Sequence, residues 1–386
     1  MNIDTASAWQ HGELPPLSLY IHVPWCVKKC PYCDFNSHAL TGEIPEDRYL
    51  KAIMEDLASD LPLVQGRSVQ TVFIGGGTPS LMSPDFYEGL FRQLQEQLCF
   101  TDDAEITLEA NPGTVEQRRF QGFRAAGINR LSIGIQSFNA QRLEALGRIH
   151  DDKAAHRAIE AARNAGFENF NLDLMHGLPG QTPEQAIADL EAALAWEPPH
   201  LSWYQLTLEP NTEFYSRPPS LPDEDHLWEI YRQGADFLHQ QGFADYEVSA
   251  WSRPGMASRH NLNYWMFGDY LALGAGAHGK VTLRNGDMRR FWKTRQPEAY
   301  LNRIGSRTAG SQDIEPDERP LEFLMNALRL TSGVPENLFT ERTGLPLSTV
   351  AVKLDELRTE NLLVPGRIQT TELGQRYLNS LLERFL

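Results

Sequence analysis

SLYIHVPWCVKKCPYCDFNSHAL, residues 18–40, runs from an apolar, strand-like stretch straight into Cys26, Cys30 and Cys33, spaced C-x3-C-x2-C. Phe35 stands where a fourth thiol would continue the series. Structural zinc takes four closed ligands and is usually held by two separated hooks, so zinc here would need a histidine such as His22 or His38. The remaining cysteine, Cys99, is isolated and reads as a small apolar residue at a helix end. An iron–sulfur cube on three thiolates leaves one iron without a protein ligand, open to a small chelating molecule. The single compact loop favours this second arrangement over zinc.

Outward from the loop, apolar runs rich in β-branched residues recur at 17–23, 69–74, 105–110, 130–136, 170–175 and 201–208, separated by amphipathic, helix-length segments. Helix punctuation falls between them. Ser83 with Pro84, the stretch 114–117, and Thr182 with Pro183 supply N-caps or a proline at the first helical position, while Gly127 and Gly166 sit where helices should stop. Six β/α repeats in one direction imply a parallel sheet covered by helices, either doubly wound or a barrel.

Past residue 209 the rhythm breaks into PNTEFYSRPPSLPDE, and the last part of the chain reads as helix, helix, helix, hairpin, helix. The expected organisation is therefore a β/α unit over 1–210, a connecting segment over 211–315, and a winged-helix-like α+β unit over 316–386. That last unit carries eight basic and ten acidic residues, so a lid or docking role suits it better than reading nucleic acid. The chain as a whole has 386 residues and a net charge of −16, with 41 % hydrophobic and 22 % charged residues, which is a folded composition without a general nucleic-acid footprint. The first seventeen residues show no basic start and no apolar run, and no stretch approaches a membrane span, so the expected location is the cytoplasm.

Polar residues cluster at the ends of the expected strands. Gly75-Gly76-Gly77-Thr78-Pro79 follows the second, where glycines permit close backbone approach and offer N–H groups to a carboxylate. Glu109 ends the third in EITLEANPGT, Gln136 ends the fourth in LSIGIQSF, Arg148 lies in LGRIH, and Asp173 lies in NLDLMHGLPGQT. Strand ends are where β/α barrels place their ligands, and such donors and acceptors suit a ribose or adenine.

The cysteine spacing, with Tyr32 before the last thiol, resembles the radical S-adenosylmethionine superfamily. YIHVPWC, FIGGGTPS, EANPGT, NRLSIGIQSF and LGRIH resemble its branch of oxygen-independent coproporphyrinogen oxidases and haem chaperones, over nearly the whole chain. The resemblance implies an α/β fold, a partial (β/α)6 TIM-like barrel with the C-terminal unit appended. It also implies a 4Fe-4S cluster on Cys26, Cys30 and Cys33, and S-adenosylmethionine contacted by Tyr20, Tyr32, Gly76, Gly77, Thr78, Glu109, Gln136, Arg148 and Asp173.

Within that branch the oxidases read C-x3-C-x2-C-x-C, and Phe35 replaces the last cysteine here. HNLNYW, residues 260–265, resembles the motif that marks the chaperones, and it implies haem binding through His260, Asn261, Tyr264 and Trp265. His260 and Tyr264, four apart, would share a helix face, and Trp265 would add a flat apolar surface. His278, in LGAGAHGK, stays unassigned. The resemblance thus implies a haem chaperone that delivers haem to apo-haemoproteins, with a homodimer possible, and the net charge of −16 argues against a nucleic-acid partner. The alternative is a coproporphyrinogen III oxidase making protoporphyrinogen IX by radical decarboxylation, and whether the chain is an enzyme stays open.

Overall fold

The computed structural model describes residues 13–114, 117–149 and 151–386. The N-terminal stretch 1–12, part of the expected cap at 114–117, and His150 of LGRIH lie outside the described residues.

All six expected runs are strands: β1 (Leu17–Val23), β2 (Val69–Gly76), β3 (Phe100–Ala110), β4 (Arg130–Gln136), β5 (Phe170–His176) and β6 (His200–Gln205). They are parallel and lie side by side in chain order. An order that never reverses leaves no switch point of the doubly wound kind, which decides for the barrel-like alternative. Six of the seven residues of β1 are buried, as a strand covered on both faces requires.

Helices α1 (Glu46–Val64), α2 (Pro84–Gln97), α3 (Gln117–Ala125), α4 (Asp152–Asn164) and α5 (Pro183–Leu194) fall between the strands. Their starts follow the punctuation. Ser83 Oγ accepts from Phe86 N at 3.1 Å, and Thr182 forms a reciprocal capping box with Gln185. Gly127 and Gly166 end α3 and α4 with φ of 105° and 84°, which a side chain would resist.

Residues 211–315, expected as a connecting segment, instead contribute six of the twelve strands of the main sheet. After α6 (Glu224–Gln240), strands β7 (Ala244–Glu247) and β8 (Ala250–Ser252) pair antiparallel, with β8 against β6 at one edge. At the other edge β9 (Asp269–Leu273) lies parallel to β1, followed by antiparallel β10 (His278–Thr282), β11 (Met288–Lys293) and β12 (Thr308–Asp313). These strands are short, and β9 joins the barrel only across the chain, Leu17 opposite Asp269, although β10 and β11 close a local hairpin, Thr282 opposite Met288, around Asn285-Gly286.

Buried charge ties the extension to the barrel. Lys293, fully buried, donates to Asp56 and Asp60 of α1 at 2.6 Å each. Asp269, also buried, accepts from Arg67, Lys280 and Thr282. Each cation meets carboxylates at hydrogen-bond distance, the condition under which burying charge is tolerated.

The C-terminal unit has a core of its own, including Phe323, Phe339, Leu354 and Ile368, which takes in Phe267 and Met288 of the extension. Its helices flank a two-residue antiparallel pairing of Val334–Pro335 with Arg367–Ile368. Among the described residues no helix is long and apolar enough to cross a membrane.

Candidate functional site

The cysteine loop leaves the carboxyl end of β1 and is closed at its base, where Trp25–Cys26 pairs in parallel with His38–Ala39. Cys26 is buried, Cys30 and Cys33 are partly exposed, and none forms a disulfide. Burial raises the Cys26 and Cys33 thiols. Arg148 Nη1 donates towards Cys30 Sγ at 3.6 Å. All three cysteines line one cavity.

The donor chemistry around the loop fits three sulfurs and no fourth ligand. His22 is committed through Nδ1 to the Tyr20 hydroxyl at 3.0 Å and through Nε2 to Asn36 O at 2.9 Å. His38 Nε2 is engaged by Asn36 Oδ1 at 3.2 Å. The two histidines that a zinc site would recruit are therefore holding the loop.

The glycine turn lies directly against this loop. Gly77 N donates to Val23 O and Thr78 N to Trp25 O, both at 2.7 Å, and Gly76 N donates to Glu109 Oε2 at 3.1 Å. These amides bind the protein itself, which corrects the expectation that they wait for a ligand carboxylate. What demands glycine is space: Gly76 has φ of 117° and an added Cβ would stand 2.6 Å from the His22 ring, while one at Gly77 would stand 2.4 Å from Trp25 O.

Residues at the following strand ends converge on the same cavity, of about 430 Å3. Burial, reinforced by the charge of Asp173, pushes the Glu109 carboxyl up to about 8. Asp173 is also raised by burial, although Ser132 Oγ and Asn171 Nδ2 donate to it at 3.0 and 2.7 Å. Gln136, at a φ of 69°, turns out of β4 and accepts from the Tyr204 hydroxyl at 2.8 Å. Arg148 donates to Gly134 O at 2.9 Å and to the Tyr32 hydroxyl at 3.3 Å; burial pushes that phenol up to about 12.

Ser132, Ser202 and Tyr204 also line this cavity and were missed. Their signal was available: Ser132, Gly134 and Gln136, like Ser202 and Tyr204, are two apart and share the inward face of one strand. Tyr20 is placed elsewhere. It lines a second cavity, of about 580 Å3, that meets the first at Phe35, Gly76 and Glu109.

This second cavity is walled by Tyr264 and Trp265 of α7 (Arg259–Trp265), by Tyr270 of β9, and by His278, Arg290 and Arg295 of the antiparallel extension. The HNLNYW residues are divided: Asn261 lines the first cavity, Tyr264 and Trp265 the second, and His260 neither. His260 is 1 % exposed, with Nδ1 against Thr71 Oγ1 at 2.7 Å and Nε2 against the Tyr264 hydroxyl at 2.8 Å. Burial, helped by Arg130, lowers it to about 3, so the ring is neutral. The shared helix face of His260 and Tyr264 points inward, and the imidazole orients the phenol from behind.

The sequence model of the Radical SAM superfamily matches residues 20–193, and that of the HemN C-terminal domain matches 314–377. The chain is 51 % identical to the heme chaperone HemW of Escherichia coli strain K12 and 50 % identical to that of Haemophilus influenzae. Each alignment covers 97 % of this chain and 99 % of the relative. Coproporphyrinogen III oxidase (HemN) from Escherichia coli, described as a radical SAM enzyme, shares the fold with a TM-score of 0.81 over 98 % of this chain and 92 % of its own, at 24 % identity. A full-length match at half identity, over a sheet whose strand ends gather the three cysteines and the polar residues around one cavity, leads to one conclusion: the chain belongs to the heme chaperone HemW family of the radical SAM superfamily.

Proposed function

We propose that this chain is a cytoplasmic haem chaperone, which binds haem in the second cavity and passes it to apo-haemoproteins. The observation that carries the reading is the character of that cavity. Its lining joins aromatic rings (Tyr264, Trp265, Tyr270) to the exposed cation Arg295 and to Arg290, itself paired with Glu322, which suits a flat apolar macrocycle bearing carboxylates, and its volume lies in the range of small-molecule sites. The family's name supports the same ligand.

In the first cavity Cys26, Cys30 and Cys33 would hold a 4Fe-4S cluster, whose unligated iron supplies a chelation point for the amino and carboxylate groups of S-adenosylmethionine. Arg148 puts a cation beside the thiols. Glu109, with Oε2 accepting from Gly76 N, keeps a proton on Oε1 near neutral pH. Gln136, Asp173, Ser132 and Tyr204 present a polar wall suited to a nucleoside. Phe35, bordering both cavities, puts an apolar ring rather than a thiolate between them.

The test is to incubate anaerobically reconstituted protein with haem and, separately, with coproporphyrinogen III under reducing conditions. A stable haem absorption band and no decarboxylated product are expected; protoporphyrinogen formation would overturn the chaperone reading. Cys33→Ala should abolish the broad iron–sulfur absorption while leaving the haem band.

A further inference from the structure

Resting on the haem-binding reading, we infer that His278, outside the HNLNYW motif, is the residue that presents an open imidazole nitrogen to the haem iron in the second cavity. The nitrogen lone pair forms the coordination bond, and no proton or electron need move for it to do so.

The inference begins with what His260 is already doing. Both of its ring nitrogens are hydrogen-bonded inside the protein, to Thr71 and Tyr264, and the residue lines neither cavity. Freeing Nε2 would take the Tyr264 hydroxyl's imidazole partner away, and freeing Nδ1 would break the buried chain from Ser18 through Thr71 to His260.

The nitrogen, sulfur and phenol donors that line the second cavity reduce to one; Asp34 and Glu109 add carboxylates to the lining. Its lining holds no cysteine or methionine. His22 has both nitrogens engaged, as described above. The Tyr20 hydroxyl is taken by His22, the Tyr264 hydroxyl by His260, and the Tyr270 phenol faces the Arg290 guanidinium. Lys280 is spent on buried Asp269 and on Phe267 O. His278 is exposed, lines the cavity, and among the described residues no hydrogen-bond partner meets either of its nitrogens.

Its placement is held from two sides. His278 opens β10 opposite Trp292, whose ring lies nearly parallel at 26° with centroids 6.4 Å apart. The preceding turn packs closely on the cysteine loop: an added Cβ at Gly276 would stand 2.1 Å from Asn36 Nδ2, and that amide donates to Ala275 O at 3.0 Å and to Arg295 O at 2.9 Å. Partial burial, then the charges of Arg295 and Arg290, lower the imidazole below its ordinary range, keeping the neutral form that binds metal. Arg295, exposed and lining the same cavity, is placed to meet a haem carboxylate.

Ferric haem titrated into the full chain, its binding and ligation followed by absorption and electron paramagnetic resonance, tests this. His278→Ala should keep its circular dichroism, lose the nitrogen-ligated signature, bind haem about tenfold or more weakly (about 1.4 kcal/mol), and regain the signature when free imidazole is added. His260→Gln should melt earlier yet keep the signature while folded. A wild-type spectrum in His278→Ala overturns the assignment and leaves the chaperone reading standing, whereas absence of haem binding by the wild type overturns both.

Discussion

The two adjoining cavities are built on different plans. The first draws most of its residues from the carboxyl ends of consecutive parallel strands, where a repeated β/α unit delivers side chains to the same rim, with Glu247, Ala250 and Asn261 added from the extension. The second takes residues from Tyr20 to Asn326, out of an antiparallel extension, a seven-residue helix and the C-terminal unit. The first is secured by the barrel as a whole. The second depends on how the extension is fastened to it, and that is where the two should come apart experimentally.

Lys293 is the strongest fastening. Lys293→Met leaves Asp56 and Asp60 buried without their cation, which should cost about 3–5 kcal/mol in denaturant unfolding. At temperatures where the variant stays folded, haem affinity should fall while iron–sulfur content changes little. Equal losses on both sides would erase the proposed distinction.

Gly76 belongs to both walls. Gly76→Ala must hold a left-handed conformation with its methyl against the His22 ring, at about 1–3 kcal/mol of strain. Both S-adenosylmethionine and haem should then bind more weakly; a response confined to one would show that the shared wall is not rigid.

Glu109, the other shared residue, gives the smallest and most diagnostic effect. Its folded value of about 8 lies above the ordinary 4.5. Between these values the folded chain keeps a proton that the unfolded chain has released, so its contribution to stability is present below about 4.5, falls as pH rises, and is gone above about 8. Because the carboxyl borders a cavity, the contribution should be about 1 kcal/mol. Glu109→Gln should remove that slope from the difference between pH 5 and pH 8 unfolding curves, and an unchanged slope would place the titration elsewhere.

The first cavity was largely legible because its residues obey local rules. Apolar runs mark the strands, and Cys26, Glu109 and Gln136 follow from where those strands end. Ser202 and Tyr204 required reading the period-two face one step further. The second cavity was legible only in part: Tyr264 and Trp265 came from the motif, but Tyr270 and His278 are brought to it by β9 pairing with β1 across some 250 residues, and sheet pairing at that distance leaves no mark on local composition. His260 shows the limit of a motif. The helix period placed it beside Tyr264 as observed, but which face looks inward is decided by Thr71 on a strand far away in the chain.

Asn36 lies three residues past Cys33, and one amide group ties the cysteine loop to both turns that carry His278 and Arg295. A change in the loop on binding the proposed cluster would reach the neighbouring cavity through this amide. Thermodynamic linkage makes the influence mutual: the factor by which cluster loading alters haem affinity is the factor by which haem alters cluster affinity. In the proposed carrier, one asparagine would thus couple the filling of either compartment to the state of the other.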